Sequence, residues 1–320
     1  MKSMRKIPKL YIVVPCYNEE EVLLETTKQL ANKLNELIKN KLILKDSKIM
    51  YVNDGSKDKT WELIEKISIE NNNFMGICLS KNRGHQNALL AGLMEAKNVA
   101  DIVISMDADL QDDINAVDKM IEEYNNGSEI VYGVRSSRKK DTWFKRNTAL
   151  FFYRFMKFLG VNIVYNHADY RLMSKRVLYE LENYKEVNLF LRGIIPLIGF
   201  KTSNVYYERL ERFAGESKYP VKKMLSFALE GVLSFSVKPI RIITISGIII
   251  SVLSFFMLIY SIIGHLISGN IAGWTTIIVL ICFFGGFQIF CIGIIGEYIG
   301  KIYQETKQRP RYVIEKRIGE

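Results

Sequence analysis

Four carboxylates fall within seven residues at Asp107-Ala-Asp-Leu-Gln-Asp-Asp113. Like charges at that density repel one another unless a cation or a helix N-terminus compensates them. Asp107 and Asp109, two apart in an extended segment, face the same side and make half of a divalent-metal site. Their hard oxygen donors suit Mg²⁺ or Mn²⁺, with the remaining positions left to diphosphate oxygens and water. An EF-hand is excluded, because its loop requires glycine where Asp112 stands. Asp112 and Asp113 are expected to cap the next helix. Three further polar clusters accompany this one: Pro15-Cys-Tyr-Asn-Glu19, Asn53-Asp-Gly-Ser-Lys-Asp58 and Lys81-Asn-Arg-Gly-His-Gln-Asn87. Each taken alone reads as a turn or a helix cap, since Asn, Asp, Gly and Ser favour those places.

The elements between the clusters give them a common location. Residues 10–14 read as a buried strand, and 20–39 carry leucines at helical spacing. Strands at 48–53, 74–79, 101–106 and 129–133 then alternate with helices at 59–70, 85–97 and 114–125. Such alternation predicts an α/β domain with right-handed crossovers and a mainly parallel, Rossmann-like sheet. Ligands of these sheets bind beyond the carboxyl ends of the strands. All four polar clusters follow a strand, so they converge on that edge.

Apolar residues are distributed unevenly. Residues 242–264 and 271–296 contain no charge, and each run exceeds the ~20 residues that cross a bilayer as a helix. A membrane-attached chain is expected rather than a wholly soluble one. The formal net charge is +10. Much of it lies between Arg135 and Lys157, where cations alternate with aromatics such as Trp143, Phe151 and Tyr153, the mixture of a helix in a headgroup interface. No nucleic-acid motif accompanies the patch, so nucleic acid is not the expected partner.

Lys238 and Arg241 precede the first apolar run, and Lys301, Lys307, Arg309 and Arg311 follow the second. The stretch 264–273 has neither Lys nor Arg, which puts both ends at the cytoplasmic face of the cell membrane. The expected organisation is a cytoplasmic domain over 1–220, an amphipathic juxtamembrane segment over 221–241, spans at 242–264 and 271–296, and a charged cytoplasmic tail over 297–320. Phe283, Gly285, Gly286 and Phe287 offer the second span a packing face for another copy of the chain. Cys16, Cys78, Cys282 and Cys291 have the spacing of neither a zinc site nor a disulfide framework. The short apolar run ending at Pro15 is not a cleaved signal peptide.

The order Pro15-Cys-Tyr-Asn-Glu19, Asn53-Asp-Gly-Ser-Lys-Asp58, Asp107-Ala-Asp109, Ala168-Asp-Tyr-Arg-Leu-Met173 and Phe213-Ala-Gly-Glu-Ser-Lys-Tyr219 closely resembles family 2 glycosyltransferases. The similar branch is the polyprenyl-phosphate glycosyltransferases, which includes dolichol-phosphate mannose synthase and bacterial undecaprenyl-phosphate glucosyltransferases. The resemblance extends over essentially the whole chain and implies a GT-A nucleotide-sugar-binding domain followed by two transmembrane helices. It implies that Pro15, Tyr17, Glu19 and Asp54 hold the nucleotide base and ribose. It also implies that Asp107, Asp109 and Gln111 surround the metal on the donor diphosphate. By the same resemblance Arg135, Arg212 and Lys218 face phosphates at the membrane, with Arg171 assigned to the acceptor or diphosphate side. Asp169 lies where relatives carry an acidic residue near the acceptor, and Arg171 is its expected orienting partner. The His85-Gln86 pair looks like that of bacterial UDP-sugar members.

The implied reaction is inverting transfer of a hexose, glucose from UDP-glucose being the expected donor, to undecaprenyl phosphate. The product would be a lipid-linked sugar donor for cell-envelope glycosylation. A phosphate monoester has its second pKa near ~6, so the acceptor is already an oxyanion at neutral pH and scarcely needs a base. Asp169 is left with three readings: a base, the partner that positions Arg171, or a structural residue. Two other function classes compete with this one. A processive polysaccharide synthase of this family uses a Gln-x-x-Arg-Trp motif, and none of Trp61, Trp143 and Trp274 follows an arginine. A non-catalytic protein that binds nucleotide sugars or lipids is the other; two spans without an intramembrane charge give it no transport path.

Overall fold

The computed structural model describes residues 5–136, 167–208, 238–268 and 273–319. The chain divides into two compact units. The first holds the α/β domain and resumes at Gln308; the second holds the long helices.

The α/β unit is built on one eight-stranded sheet. Its strands are β1 (Leu10–Cys16), β2 (Lys48–Asn53), β3 (Phe74–Leu79), β4 (Ile102–Ser105), β5 (Ile130–Arg135), β6 (His167–Ser174), β7 (Thr202–Tyr207) and β8 (Ile314–Ile318), in the order β7-β5-β6-β4-β1-β2-β3-β8. Only β6 and β8 run against the other six. Every residue of β1 is buried, as expected of a central strand covered on both faces, which reads as a continuous apolar run.

The helices of this unit are α1 (Leu23–Lys39), α2 (Thr60–Glu70), α3 (His85–Ala96), α4 (Ala116–Asn125), α5 (Lys175–Leu181) and α6 (Leu191–Leu197). Helix α1 buries Leu23, Leu30, Leu34 and Leu37, a stripe at 3.6-residue spacing that faces the core. The same face carries Thr26, whose hydroxyl donates to the Ala108 carbonyl at 2.8 Å. A core helix is thereby tied to the acidic loop after β4.

The strands expected at 48–53 and 74–79 have those bounds in the structure. Helix α1 begins at Leu23 rather than residue 20, because the chain first turns through Asn18, whose φ is 54°. Three strands, β6, β7 and β8, escaped the sequence reading. β7 has the exposure pattern of a one-sided strand, with only Val205 and Tyr207 buried. β8 lies in what reads as a charged tail, since Ile-Glu-Lys-Arg-Ile presents three charges and only two partly covered isoleucines. It pairs antiparallel with the outer edge of β3, and such charged strands are what sheet edges tolerate. The Arg317 guanidinium donates to both Glu95 carboxylate oxygens at 3.0 and 3.1 Å. Lys48 Nζ donates to the Gly319 carbonyl at 2.7 Å, across a separation of 271 residues.

The second unit contains α7 (Lys238–Ser268) and α8 (Trp274–Thr306). Among the described residues one segment, Phe283–Thr306, is long and apolar enough to cross a membrane by length and composition, with mean hydropathy 1.4 and none of it buried. Helix α8 runs to Thr306, ten residues past the expected end of the second span. The basic-aromatic segment after Ser136, the juxtamembrane segment over 221–237, and Arg212 and Lys218 lie outside the described residues.

Candidate active site

The carboxyl ends of β1, β2 and β3 are flush, with Cys16 opposite Asn53 and Asn53 opposite Cys78. The loops that follow are laced together by side chains. Ser56 Oγ accepts the Asn18 N–H at 3.0 Å, and Asn18 Oδ1 accepts the Lys57 N–H at 2.9 Å. Thr60 Oγ1 accepts the Glu19 N–H at 2.9 Å. Gly55 sits at φ +63°, and a Cβ there would lie 2.6 Å from the Asn82 nitrogen. Glycine is required because the β2 and β3 loops pass too closely for any side chain.

Asp54 joins those same two loops. Its carboxylate accepts the backbone N–H of Arg83 at 2.7 Å and of Gly84 at 2.9 Å, which shapes the entry into α3. Burial pushes its pKa up against the pull of these donors. Pro15, Tyr17, Glu19, Asp54 and His85 line one open cleft of about 230 Å³. The four residues expected at the base and ribose are thus brought together, with Tyr17 exposed on the rim.

His85 extends the cleft towards the centre of the sheet. Its Nε2 lies 3.6 Å from Asp107 and 3.7 Å from Asp169. Asp107 and Asp109 follow β4 in a loop where Leu110 takes φ 55°, a left-handed conformation that a leucine adopts only under constraint. Asp109 Oδ1 accepts the Gln111 N–H at 3.2 Å. Burial pushes Asp107 up to about 6, opposed by His85 and reinforced by the carboxylates of Asp112, Asp169 and Asp109. That crowding of negative charge is relieved by a cation, and the donors are hard oxygens, so a divalent ion fits here. No group of three or more His, Cys, Asp and Glu among the described residues is arranged to hold a metal ion.

Asp169 sits on β6 between two arginines. Arg171 Nη2 donates to its Oδ1, while Arg192 donates through Nε at 3.2 Å to Oδ1 and through Nη2 at 2.9 Å to Oδ2. Burial would raise the Asp169 pKa, but Arg192 and Arg171 outweigh it and hold the carboxyl well below the usual range. The Arg171 side chain is 0% exposed and is held against Asp169, the residue it was expected to orient. Among the described residues its Nε and Nη1 have no hydrogen-bond partner.

Asp112 corrects one expectation. It does not cap α4, whose N-cap Asn115 lacks a side-chain cap bond. It is 2% exposed and accepts from the Tyr207 hydroxyl and from Arg135 Nη2, the latter at 3.2 Å. Arg135 Nε in turn donates to Tyr207 Oη at 3.3 Å. Asp113 does cap locally, accepting the Asn115 N–H at 2.9 Å. Arg135 is therefore pinned between the acidic loop and the end of β7.

Arg192 was missed from sequence, because a single arginine in an amphipathic stretch carries no spacing signal. Gln86 supplies the one that existed. Its Oε1 accepts the Leu191 N–H at 2.8 Å, so the residue after His85 ties down the start of the helix that bears Arg192.

A six-strand parallel set with acidic, glycine-bearing loops at its carboxyl edge defines a Rossmann-like, GT-A-type domain. The pattern of the Glycosyl transferase family 2 matches residues 11–182. The chain belongs to that family. It is 58% identical over 308 residues to an uncharacterized glycosyltransferase, YkoT, of Bacillus subtilis (strain 168), covering 96% of this chain and 91% of that one. It is 38% identical over 311 residues to the bactoprenol glucosyl transferase of Shigella phage SfX, covering 97% and 99%. A prophage bactoprenol glucosyl transferase homolog of Escherichia coli (strain K12) is 37% identical over 310 residues, covering 96% and 99%.

Proposed function

We propose that the protein transfers a hexose, with inversion, from a nucleotide sugar to a polyprenyl phosphate at the cytoplasmic membrane face. UDP-glucose is the proposed donor and undecaprenyl phosphate the proposed acceptor, making a lipid-linked glucose for cell-envelope glycosylation. The observation that carries the reading is the continuity from the cleft of Pro15, Tyr17, Glu19 and Asp54 through His85 to Asp107 and Asp169. The near full-length similarity to bactoprenol glucosyl transferases supports the acceptor class and the sugar.

In this reading the nucleotide occupies the cleft, and Asp107, Asp109 and Gln111 would hold Mg²⁺ or Mn²⁺ against the donor diphosphate. The ion, when bound, supplies charge neutralisation for the departing nucleotide. The acceptor oxygen arrives ionised and attacks the anomeric carbon from the face opposite the leaving group. Asp169 has little proton affinity between its arginines, so its work is orientation. Arg135, with Arg212 and Lys218, is proposed to meet phosphate groups.

Membrane attachment through α7 and α8 is part of the proposal. Strand β8 follows α8 and completes the sheet that begins before α7. A chain that leaves a domain and re-enters the same domain crosses a bilayer an even number of times, which supports two spans and a cytoplasmic tail. A packed pair of copies through the Gly-rich face of α8 completes the proposed assembly.

The test is incubation of purified protein in detergent with undecaprenyl phosphate, Mg²⁺ or Mn²⁺ and a panel of nucleotide sugars. Mass spectrometry of the lipid fraction should show one hexosyl-phospholipid, formed from UDP-glucose. Nucleotide release without a lipid adduct would assign another acceptor, and no turnover with any donor would refute the enzymatic reading.

A further inference from the structure

The strand order sorts the charges of the site. Pro15 lies at the end of β1, and Asp54 and Asn82 follow β2 and β3, so the cleft occupies that half of the sheet. Asp107 follows β4 at the middle. Asp169 and Arg171 stand on β6 and Arg135 ends β5, in the opposite half, and Arg192 joins them through Asp169. Negative charge is in surplus at Asp107 and Asp109. Beyond β4 the balance reverses, with three arginines against Asp169 and Asp112.

The two arginines on Asp169 are not equivalent. Arg171 is wholly buried, whereas the Arg192 side chain is 40% exposed. Arg171 alone neutralises the Asp169 carboxylate, so charge balance does not require the second cation. Arg192 spends Nε and Nη2 on Asp169 and keeps Nη1, which bonds no described residue. Two parallel bonds fix the plane of its guanidinium, and Gln86 fixes the first turn of α6 beneath it. A planar fork that is oriented, partly exposed and left with donors that bond no described residue is suited to a phosphate.

Resting on the function proposed above, we propose that Arg192 receives the phosphate monoester of the acceptor, with Asp169 as its positioning residue. The donor diphosphate is already provided for on the other side of the site, at the Asp107–Asp109 loop. Arg192 lies on the half from which a second anionic substrate would approach the sugar.

The experiment is steady-state kinetics of Arg192→Ala and Arg192→Lys with undecaprenyl phosphate and UDP-glucose varied in turn. Loss of a charge-assisted bond should raise the acceptor KM roughly ten- to hundredfold and leave the donor KM unchanged. Lysine should restore part of the loss, because it keeps the charge but not the fork. A rise in donor KM alone would move Arg192 to the diphosphate, and two unchanged constants would reduce it to a counter-charge; either overturns the proposal. UDP affinity by calorimetry verifies the fold of each variant, and Arg192→Lys carries the same test if Arg192→Ala does not fold. A binding arm needs no turnover and stands even if the wild type makes no glycosyl lipid. Wild-type protein should prefer farnesyl phosphate to farnesol in detergent, and Arg192→Ala should lose that preference. An undiminished preference overturns the proposal.

Discussion

Gln86 Oε1 accepts the backbone N–H of Leu191 at 2.8 Å, joining the first turn of α3 to the first turn of α6. His85 precedes one partner and Arg192 follows the other, so one hydrogen bond sets the spacing of two groups that both approach Asp169. Gln86→Ala should cost the capping bond, about 1 kcal/mol, and lower kcat/KM several-fold with UDP affinity unchanged. Hydrogen exchange should quicken at the amides of 191–197. Unaltered exchange there would show that α6 is held by its buried Leu191, Ile194 and Ile195 alone.

Asp169 allows the base and orienting roles to be separated by pH. Burial raises its pKa, but Arg192 and Arg171 pull it well below the usual carboxylate range. With its folded pKa depressed, the stability it contributes is present above its unfolded value near ~3.9 and is lost as pH falls through the folded value. Asp169→Asn should therefore reduce the rate at every pH from about 5 to 9 and destabilise the protein by roughly 3–5 kcal/mol, since Arg171 is left buried and unpaired. Recovery of wild-type rate at high pH alone would restore the base.

Asp107 behaves in the opposite sense. Its folded pKa is pushed up to about 6, so the folded protein binds more protons than the unfolded chain between about 4 and 6. Stability from this group falls as pH rises through about 6. A bound cation offsets the charge that causes the loss, so Mn²⁺ should raise Tm more at about pH 7.5 than at about pH 5. Asp107→Asn should abolish that difference. Equal shifts at both pH values in the wild type would disconnect the ion from Asp107.

Asp109→Ala should abolish turnover and metal-dependent binding of the nucleotide sugar while leaving the sheet intact. Calorimetry with and without EDTA measures the binding, and circular dichroism the fold. Normal activity of the wild type in EDTA would contradict the metal reading outright.

Gly319 stands at φ +81°, and a Cβ there would lie 2.6 Å from the Phe74 carbonyl oxygen. Gly319→Ala should destabilise the β8 pairing by about 1–3 kcal/mol, seen as faster exchange at Gly76, Ile77 and Cys78. Arg317→Ala removes a partly exposed pair with Glu95 and should cost no more than ~1 kcal/mol. A Gly319→Ala protein with wild-type exchange would show that the strand tolerates a shifted end.

The strand ends of the site were legible because chemistry and periodicity coincide there. Residues 49–52 and 74–79 are continuous apolar runs, and each stops at a polar cluster that the sheet must place at one edge. Asp107, Asp109 and Asp54 were legible for that reason. Arg192 was not, since what makes it distinctive is a contact with Asp169 across the fold. Asp112 read as a cap because an Asp before a helix normally is one; its burial under Tyr207 depends on β7, a strand whose alternation is too short and too exposed to announce itself. β8 was hidden by its charges, which are the means by which a strand lives at an edge.

The position of β8 also dictates an order of events. The outer edge of β3 stays unpaired until Ile314–Ile318 has been synthesised, and by then both long helices have already been made. Chains are made from the N-terminus, and open strand edges invite association with other chains. The catalytic sheet is therefore finished last, after the apolar helices have been made. A chain interrupted within α7 or α8 would carry all the residues of the cleft and still present a bare strand to its neighbours.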